Sequence, residues 1–238
     1  MIERAAAAEC SALVLTVDLQ VLGQRHNDIK NGLSVPPSLR LGNLINMASK
    51  PRWAASVLSG KRWTFGNLEG HVSDMTGVTS LAGWISGQFD ATLNWKDIEW
   101  IRGIWPGKLI LKGILDGEDA VLAAKSGADA LVVSNHGGRQ LDGARSSISA
   151  LPKIADAVGG DIDVLFDGGI RSGHDVLRAL ALGAKACLIG RPYIFGLGAG
   201  GEAGVRTAIE IICKEMDVGM ALTGVNTIGE IDRRILSD

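Results

Sequence analysis

The second half of this chain alternates short apolar runs with helix-compatible segments, and this alternation constrains the fold more than any other feature. β-rich runs lie near residues 12–17, 109–113, 130–134, 162–167 and 186–190. The last four are separated by segments of about 11–15 residues whose apolar residues are spaced for one buried helix face. Strands joined by helices run parallel, so the sequence predicts an α/β fold built on one parallel sheet.

The intervening segments "DGEDAVLAAKSGA", "SISALPKIADAVGG" and "SGHDVLRALALGA" are predicted to be crossover helices that end at glycine. Polar residues follow the apolar runs: Thr16, Asp18, Lys112, Ser134, His136 and Asp167. We therefore expect every ionisable strand residue to lie at a carboxyl end. In a (β/α)8 barrel that rim carries the active site.

Two glycine-opened loops decide between an open sheet and a barrel. "DGGIRSG" and "IGRPY" each carry an arginine and follow the last two runs, where a TIM barrel commonly holds phosphate. The sequence thus predicts strands four to eight of a TIM (β/α)8 barrel. Because Met1 precedes what reads as the last turns of a helix, we expect an incomplete chain that lacks strands one to three.

The predicted domains are the end of helix three with strand four (1–33), an insert (34–94), and strands five to eight with C-terminal helices (95–238). Six tryptophans lie in the insert or just after it: Trp53, Trp63, Trp84, Trp95, Trp100 and Trp105. Residues 34–63 contain no acidic residue and five basic ones, which are Arg40, Lys50, Arg52, Lys61 and Arg62. The insert is either an element that touches a membrane or a partner, or a subdomain with its own tryptophan core. Composition alone favours the subdomain.

Charge and cysteine content exclude several classes of protein. A net charge of -2 with 46% hydrophobic residues is ordinary for a folded globular domain and gives no reason to expect nucleic acid as a partner. The three cysteines have no CxxC spacing, so neither a disulfide framework nor a metal site is predicted. No apolar run reaches the roughly 18 residues of a membrane span, and we expect a cytoplasmic protein.

The stretch "SNHGGRQ" concentrates groups that can perform acid–base chemistry. A free imidazole titrates near neutral pH, so a histidine such as His136 suits a general base, while Arg139 offers two parallel donors to a carboxylate. Gly137 and Gly138 let a ligand approach the backbone, and Asp18 could orient the imidazole. Taken alone, His136 is better explained as a structural histidine at the start of a loop.

Lys112 has three interpretations that the sequence leaves open. It could be a Schiff-base nucleophile, a partner in a structural ion pair, or a fixed cation beside a cofactor that gains negative charge.

The motifs "SNHGGRQLDG", "DGGIRSGHDVLRALALGA" and "LIGRPYIFGL", with "LTVD" and "LKGIL", resemble the FMN-dependent α-hydroxy acid dehydrogenases and oxidases. The resemblance runs through essentially the whole chain and matches the C-terminal portion of a family member. The long insert is most similar to that of the membrane-associated, quinone-linked L-lactate dehydrogenases, with the mandelate dehydrogenases next.

The resemblance implies oxidation of a small L-2-hydroxy acid, L-lactate in the first instance, with electrons passed through FMN to quinone. His136 is implied to be the base and Asp18 its orienting carboxylate, while Arg139 and Arg25 bind the substrate carboxylate. The implied FMN contacts are Thr16, Lys112, Ser134, Asp167, Gly169, Arg171, Gly190 and Arg191. A homo-oligomer in the complete form and peripheral contact with the inner face of the cell membrane are also implied.

The chain departs from the family in having one tyrosine, Tyr193, predicted in the loop after the last strand. The family's active-site tyrosine pair comes from the strands expected to be missing. Three alternatives therefore stay open: a mandelate- or glycolate-type member, a catalytically inactive fragment that keeps a phosphate- or flavin-binding half-barrel, and a lyase that uses Lys112 as a Schiff-base amine.

Overall fold

The structure is a computed structural model that describes residues 1–32, 40–60, 67, 84 and 87–236. It divides into two compact units, one formed by Met1–Leu19 with Thr92–Asp238 and the other by Gln20–Ala91. The insert predicted at 34–94 falls in the second unit except for its last three residues. Trp63, Lys61 and Arg62 lie outside the described residues.

The first unit is built on a five-stranded parallel sheet in the order β1-β2-β3-β4-β5. The strands are β1 (Ala12–Thr16), β2 (Lys108–Ile114), β3 (Ala130–Val133), β4 (Asp163–Asp167) and β5 (Ala186–Leu188). Each strand pairs with the next one along the chain, as in consecutive strands of a β/α barrel. The predicted α/β fold with a parallel sheet is confirmed.

Helices cover the sheet and form the second unit. In chain order they are α1 (Ile2–Ala7), α2 (His26–Lys30), α3 (Leu41–Ala48), α4 (Pro51–Ser59), α5 (Trp95–Ile104), α6 (Gly117–Lys125), α7 (Ser147–Val158), α8 (Gly173–Ala181) and α9 (Arg191–Leu222), the last interrupted at Gly200 and Gly201. Short 3-10 turns span His136–Gly138, Ile228–Glu230 and Arg233–Ile235. Tyr193 lies in the first turn of α9 and not in a loop, because α9 begins directly after Gly190.

The three predicted crossover helices are α6, α7 and α8, and local sequence explains where they begin and end. The side chain of Asp116 caps α6, and Ser172 and Asp175 form a capping box at the start of α8. Left-handed glycines follow α6 and α8, but Gly159 at the end of α7 keeps a right-handed φ of -64°. Glycine therefore closes α7 without a left-handed cap.

The core lies between the sheet and these helices. Alternate strand residues such as Leu109, Leu111, Leu131 and Phe166 are almost completely buried on the face that the helices cover. Trp105 is also buried there, and its indole N–H donates to the carbonyl of Lys108 at 2.9 Å. Trp105 is therefore a core residue of the first unit.

The expectation that ionisable strand residues lie only at carboxyl ends is wrong. β2 continues past Lys112 to Ile114, because a register shift at Gly113 (φ 111°) lets the strand pair further with β3. Lys108 and Asp163 begin their strands, where they form ion pairs with Asp129 and Lys185. These charges belong to the opposite end of the sheet and stabilise it.

The second unit contains α2, α3 and α4, with α3 packed against α4. None of the side chains in these three helices is fully buried. Leu41, Ile45 and Leu58 are 73%, 63% and 74% exposed. In the part of the chain that the structure describes, no helix has both the length and the apolarity needed to cross a bilayer.

Candidate active site

A cavity of about 490 Å³ opens at the carboxyl ends of the strands. Its walls come from β2, from the loops after β3, β4 and β5, and from the start of α9. The lining residues are Lys112, His136, Gly137, Arg139, Asp167, Gly168, Gly169, Ile170, Arg171, Leu188, Gly190, Arg191 and Ile194. At the glycines the backbone itself faces the cavity, and the arginine and lysine side chains supply most of its charge.

His136 and Asp18 meet at this end of the sheet. The imidazole Nδ1 lies 3.2 Å from Asp18 Oδ1, and both side chains are about four-fifths buried. An ionised carboxylate can only accept a hydrogen bond, so Nδ1 carries the proton in this pair and Nε2 keeps a free lone pair. The pair thus holds the neutral imidazole in the tautomer that a general base requires.

Backbone geometry around His136 is unusual for a side chain with a Cβ. His136, Gly137 and Gly138 have φ values of 56°, 65° and 70°, which form a left-handed turn directly after β3. Asn135 clamps this turn, because its Oδ1 accepts from the Gly138 N–H at 3.3 Å and its Nδ2 donates to the Arg145 carbonyl at 3.2 Å. Gly137 and Gly138 adopt these φ values without a steric clash, so within this turn only His136 is strained.

Lys112, Ser134 and Asp167 form a connected polar cluster beside the imidazole. Lys112 Nζ lies 2.8 Å from Asp167 Oδ2 and donates to Ser134 Oγ at 3.0 Å. Ser134 Oγ donates to Asp167 Oδ2 at 2.8 Å and accepts from the His136 N–H at 3.1 Å. The ammonium charge is thereby fixed at the cavity wall.

The other end of the cavity suits an anion. Gly169 and Gly190 leave open space where a Cβ would stand, so a ligand can reach the backbone of both loops. Arg171 and Arg191 line the same end, and α9 begins at Arg191, directly after Gly190. Four cationic side chains and one carboxylate line the cavity, which fits a ligand with a phosphate group.

The structure brings most of the predicted site residues to this cavity. Those that line it are His136, Arg139, Lys112, Asp167, Gly169, Arg171, Gly190 and Arg191. Asp18 contacts His136, and Thr16 is the register partner of Lys112 at the end of β1. Ser134 is completely buried and is not among the lining residues, so the flavin contact expected for it stays a prediction. Arg25 belongs to the second unit.

Sequence reasoning missed several lining residues. Gly168 has a φ of 110°, and a Cβ there would meet Ser147 Oγ at 2.6 Å. Its position directly before Gly169 in "DGG" is the sequence signal that could have identified Gly168 as a lining residue. Ile170, Leu188 and Ile194 also face the cavity, but apolar residues near strand ends cannot be told from core residues by pattern alone.

Comparison with known proteins agrees with this geometry. The sequence profile of the family described as FMN-dependent dehydrogenase matches residues 1–238. The L-lactate dehydrogenase of Caulobacter sp. (strain K31) is 50% identical over 238 residues, which are 100% of this chain and 62% of that protein. The L-lactate dehydrogenase of Pseudomonas aeruginosa (strain LESB58) is 50% identical over 97% of this chain and 60% of its own length.

Solved structures of mandelate dehydrogenase and mandelate oxidase are also similar to this chain. The crystal structure of the monotopic membrane protein (S)-mandelate dehydrogenase superposes with a TM-score of 0.91 at 35% identity and covers 100% of this chain. Mandelate oxidase superposes with a TM-score of 0.75 at 37% identity over 98% of this chain. The chain spans about three-fifths of the length of the curated relatives that it matches.

Proposed function

Because this chain belongs to the FMN-dependent dehydrogenase family, we propose that it provides the base, the cation and the phosphate site for FMN-dependent oxidation of a small L-2-hydroxy acid. The observation that carries the proposal is the 3.2 Å contact between His136 Nδ1 and Asp18 Oδ1 beside the cavity that Lys112 and Arg139 line. A base, its orienting carboxylate, an ammonium and a guanidinium are the groups that this oxidation requires.

His136 accepts a proton from the substrate through Nε2, either from the α carbon or from the hydroxyl. Asp18 then stabilises the imidazolium, because a carboxylate at hydrogen-bond distance favours the charged ring. Arg139 binds the substrate carboxylate through its planar fork. The same role for Arg25, which belongs to the second unit, stays a prediction from the sequence. Together these residues place the reacting carbon at the imidazole.

FMN, when bound, supplies the two-electron acceptor that the amino acids lack. Lys112, which lines the cavity, is assigned to the flavin ring, where its charge would stabilise the reduced form. Asp167 is assigned to the ribityl hydroxyls, and Arg171, Arg191 and the glycines of their loops are assigned to the phosphate. The open backbone at Gly169 and Gly190 supports this assignment.

L-Lactate is the proposed substrate and quinone the proposed acceptor. Relatives named L-lactate dehydrogenase that are 50% identical to this chain support lactate. The solved neighbours act on mandelate by name, so a mandelate-type member is the second candidate.

The test is reconstitution of the 238-residue polypeptide with FMN. We expect saturable FMN binding and bleaching of the flavin absorbance by anaerobic L-lactate, tested against mandelate and glycolate. His136→Ala should keep the flavin and lose at least about a thousandfold in bleaching rate. His174→Ala, a histidine of α8 that does not line this cavity, is the matched control and should bleach at the wild-type rate. Flavin binding without bleaching by any of these acids would instead favour the inactive half-barrel.

We further propose that the second unit contacts the membrane surface peripherally. Its exposed leucine and isoleucine side chains and the monotopic nature of one solved neighbour support this role. Leu41→Ser with Ile45→Ser should weaken co-sedimentation with anionic liposomes. Ile209→Ser, which alters an exposed isoleucine of α9, is the control, and equal pelleting of both variants would contradict the proposal.

A further inference from the structure

Helices α8 and α9 approach each other closely at two glycines. A Cβ on Gly173, the first residue of α8, would overlap the backbone of Ile212 and Met216 in α9. A Cβ on Gly219 of α9 would overlap the side chain of Leu177 in α8. Both glycines are buried, so the start of α8 lies directly against the backbone of α9.

Glu215 lies at this crossing and caps α8 from another helix. Its carboxylate is half-buried and accepts a hydrogen bond from the Gly173 N–H at 2.8 Å. This N–H is one of the four at the start of a helix that have no partner within that helix. The positive end of the helix macrodipole also stabilises the negative charge. The cap therefore joins α8 to a residue 42 positions further along the chain.

The start of α8 in turn holds the loop that carries Arg171. Asp175 Oδ2, in the first turn of α8, accepts from the backbone N–H groups of Arg171 and Ser172, each at 3.0 Å. Arg171 and Gly169 of this loop line the end of the cavity that suits an anion. The position of α8 therefore fixes the backbone of the loop.

α9 also supports the second arginine of the anion end. It begins at Arg191, which lines the cavity, and it bends at Gly200 and Gly201. Its two segments pack tightly where Gly196 meets Gly204, since a Cβ on either glycine would overlap the carbonyl oxygen of the other. One bent helix thus contacts both arginine loops.

We propose that Glu215 is a positioning residue for the phosphate end of the cofactor site. By holding the start of α8 against α9, it sets the position of Arg171 relative to Arg191. The proposal rests on the function proposed above, because it takes FMN as the ligand. Glu215 is not among the residues that line the cavity, so it acts through α8. Loss of this cap should weaken the binding of a flavin only where that flavin carries a phosphate.

Glu215→Ala in the 238-residue polypeptide tests this with FMN and with riboflavin, which has the same ring and ribityl chain but no phosphate. The FMN dissociation constant should rise about tenfold, as for the loss of one hydrogen bond to a charged group, and that of riboflavin should stay within about twofold. Titration followed by flavin fluorescence measures both. Equal weakening of the two flavins would overturn the proposal, because it would mean a general loss of stability.

Two further variants separate the contact from the charge. Glu215→Gln keeps an acceptor for the Gly173 N–H, so it should bind FMN within about threefold of wild type. Glu215→Asp keeps the charge but is one methylene shorter, so it should weaken FMN as the alanine variant does, and it replaces that variant if the alanine variant does not fold. Tighter FMN binding in both the glutamine and alanine variants would overturn the proposal, because the carboxylate would then act only by repelling the phosphate.

Glu210→Ala is the matched control. Glu210 is an exposed glutamate of the same helix, and its removal changes the net charge by the same amount. This variant should bind both flavins as the wild-type chain does.

A second measurement needs neither flavin nor substrate. The amide resonances of Arg171 and Ser172, followed by NMR, should shift in Glu215→Ala and stay in place in Glu210→Ala. Unshifted resonances in Glu215→Ala would overturn the proposal. Shifted resonances in a chain that binds FMN but oxidises none of the hydroxy acids would support it and contradict only the proposed enzyme activity.

Discussion

At the scale of single residues, His136 combines a proposed chemical role with backbone strain. A residue with a Cβ in the left-handed region is destabilised by roughly 1–2 kcal/mol relative to glycine, and His136 lies in that region with a φ of 56°. Its ring nevertheless reaches Asp18, which a right-handed turn at the same place would not ensure. The strained backbone and the aligned base are thus consequences of the same turn.

Because of this strain, we expect a glycine variant at position 136 to be more stable than an alanine variant, the reverse of the usual order. His136→Gly should be more stable than His136→Ala by about 1 kcal/mol, because both lack the ring and only glycine tolerates the turn. Urea unfolding of the two variants measures the difference. At Lys153, an exposed position within α7, the order should be the usual one: Lys153→Gly should be less stable than Lys153→Ala by about 0.5–1 kcal/mol. A more stable alanine variant at both positions would show that His136 is not strained.

Cys187 is predicted to be chemically inert. Burial raises the pKa of its thiol to about 12, whereas Cys10 and Cys213 are exposed. Only the thiolate reacts, so at pH 8 we expect alkylation of Cys187 to be about a thousandfold slower than that of the exposed pair. Iodoacetamide labelling followed by peptide mass spectrometry resolves the three sites. Rapid labelling of Cys187 would mean that β5 opens to solvent.

At the scale of elements, the irregularity in β2 makes room for the carboxylate of Asp18. A Cβ on Gly113 would lie 2.7 Å from Asp18 Cγ, and Gly113 has a φ of 111°. Gly113→Ala should therefore destabilise the fold by more than about 1 kcal/mol and displace Asp18 from His136. We expect flavin bleaching to slow in Gly113→Ala and likewise in Asp18→Asn, measured by stopped-flow absorbance.

Gly160→Ala provides the control for this substitution, because a Cβ at Gly160 meets nothing within 4 Å and its φ is not left-handed. It should be neutral or stabilising by up to about 1 kcal/mol. A Gly113→Ala variant that bleaches at the wild-type rate would remove Asp18 from the orienting role.

The amino ends of β2 and β3 are joined by a pH-sensitive contact. Asp129 accepts hydrogen bonds from Lys108 Nζ at 2.7 Å and from the Leu109 N–H at 2.9 Å, and these lower the pKa of its carboxyl. Because the folded pKa is lowered, the stabilisation is complete above the unfolded value of about 4 and is lost as the pH falls through the folded value.

Asp129→Asn should consequently be less stable than wild type at pH 7, with the difference shrinking below about pH 4. Urea unfolding as a function of pH measures this, with the exposed Asp161→Asn as control. A difference that is the same at every pH would show that the charge of Asp129 does not stabilise the sheet.

These elements also show where sequence reasoning succeeds and fails. The strands and crossover helices could be predicted because their apolar periods and caps are local. The extension of β2 past Lys112 could not, because it depends on pairing with β3 through Gly113. Likewise, the residue types in "SNHGGR" pointed to His136 and Arg139, which both line the cavity. The hydrogen bonds of Ser134 with Lys112 and Asp167 could not be predicted, because they join residues far apart in the sequence.

At the scale of the whole molecule, one face of the sheet is covered and the other is partly open. Val14 on β1 is 51% exposed and Leu188 on β5 is 36% exposed, although both belong to otherwise apolar strands. Within the described residues, β1 and β5 each pair on one side only. Unpaired strand edges beside exposed apolar side chains favour association with further strands.

We therefore expect the 238-residue polypeptide to self-associate through this face and to bind the hydrophobic dye ANS. Val14→Ser should reduce the average mass at a given concentration, measured by light scattering after size exclusion, because it removes an exposed apolar side chain from the edge strand. Leu122→Ser alters a leucine of similar exposure on α6 and should not change the mass. A wild-type chain that stays monomeric at all concentrations and binds no dye would show that this face is closed in solution.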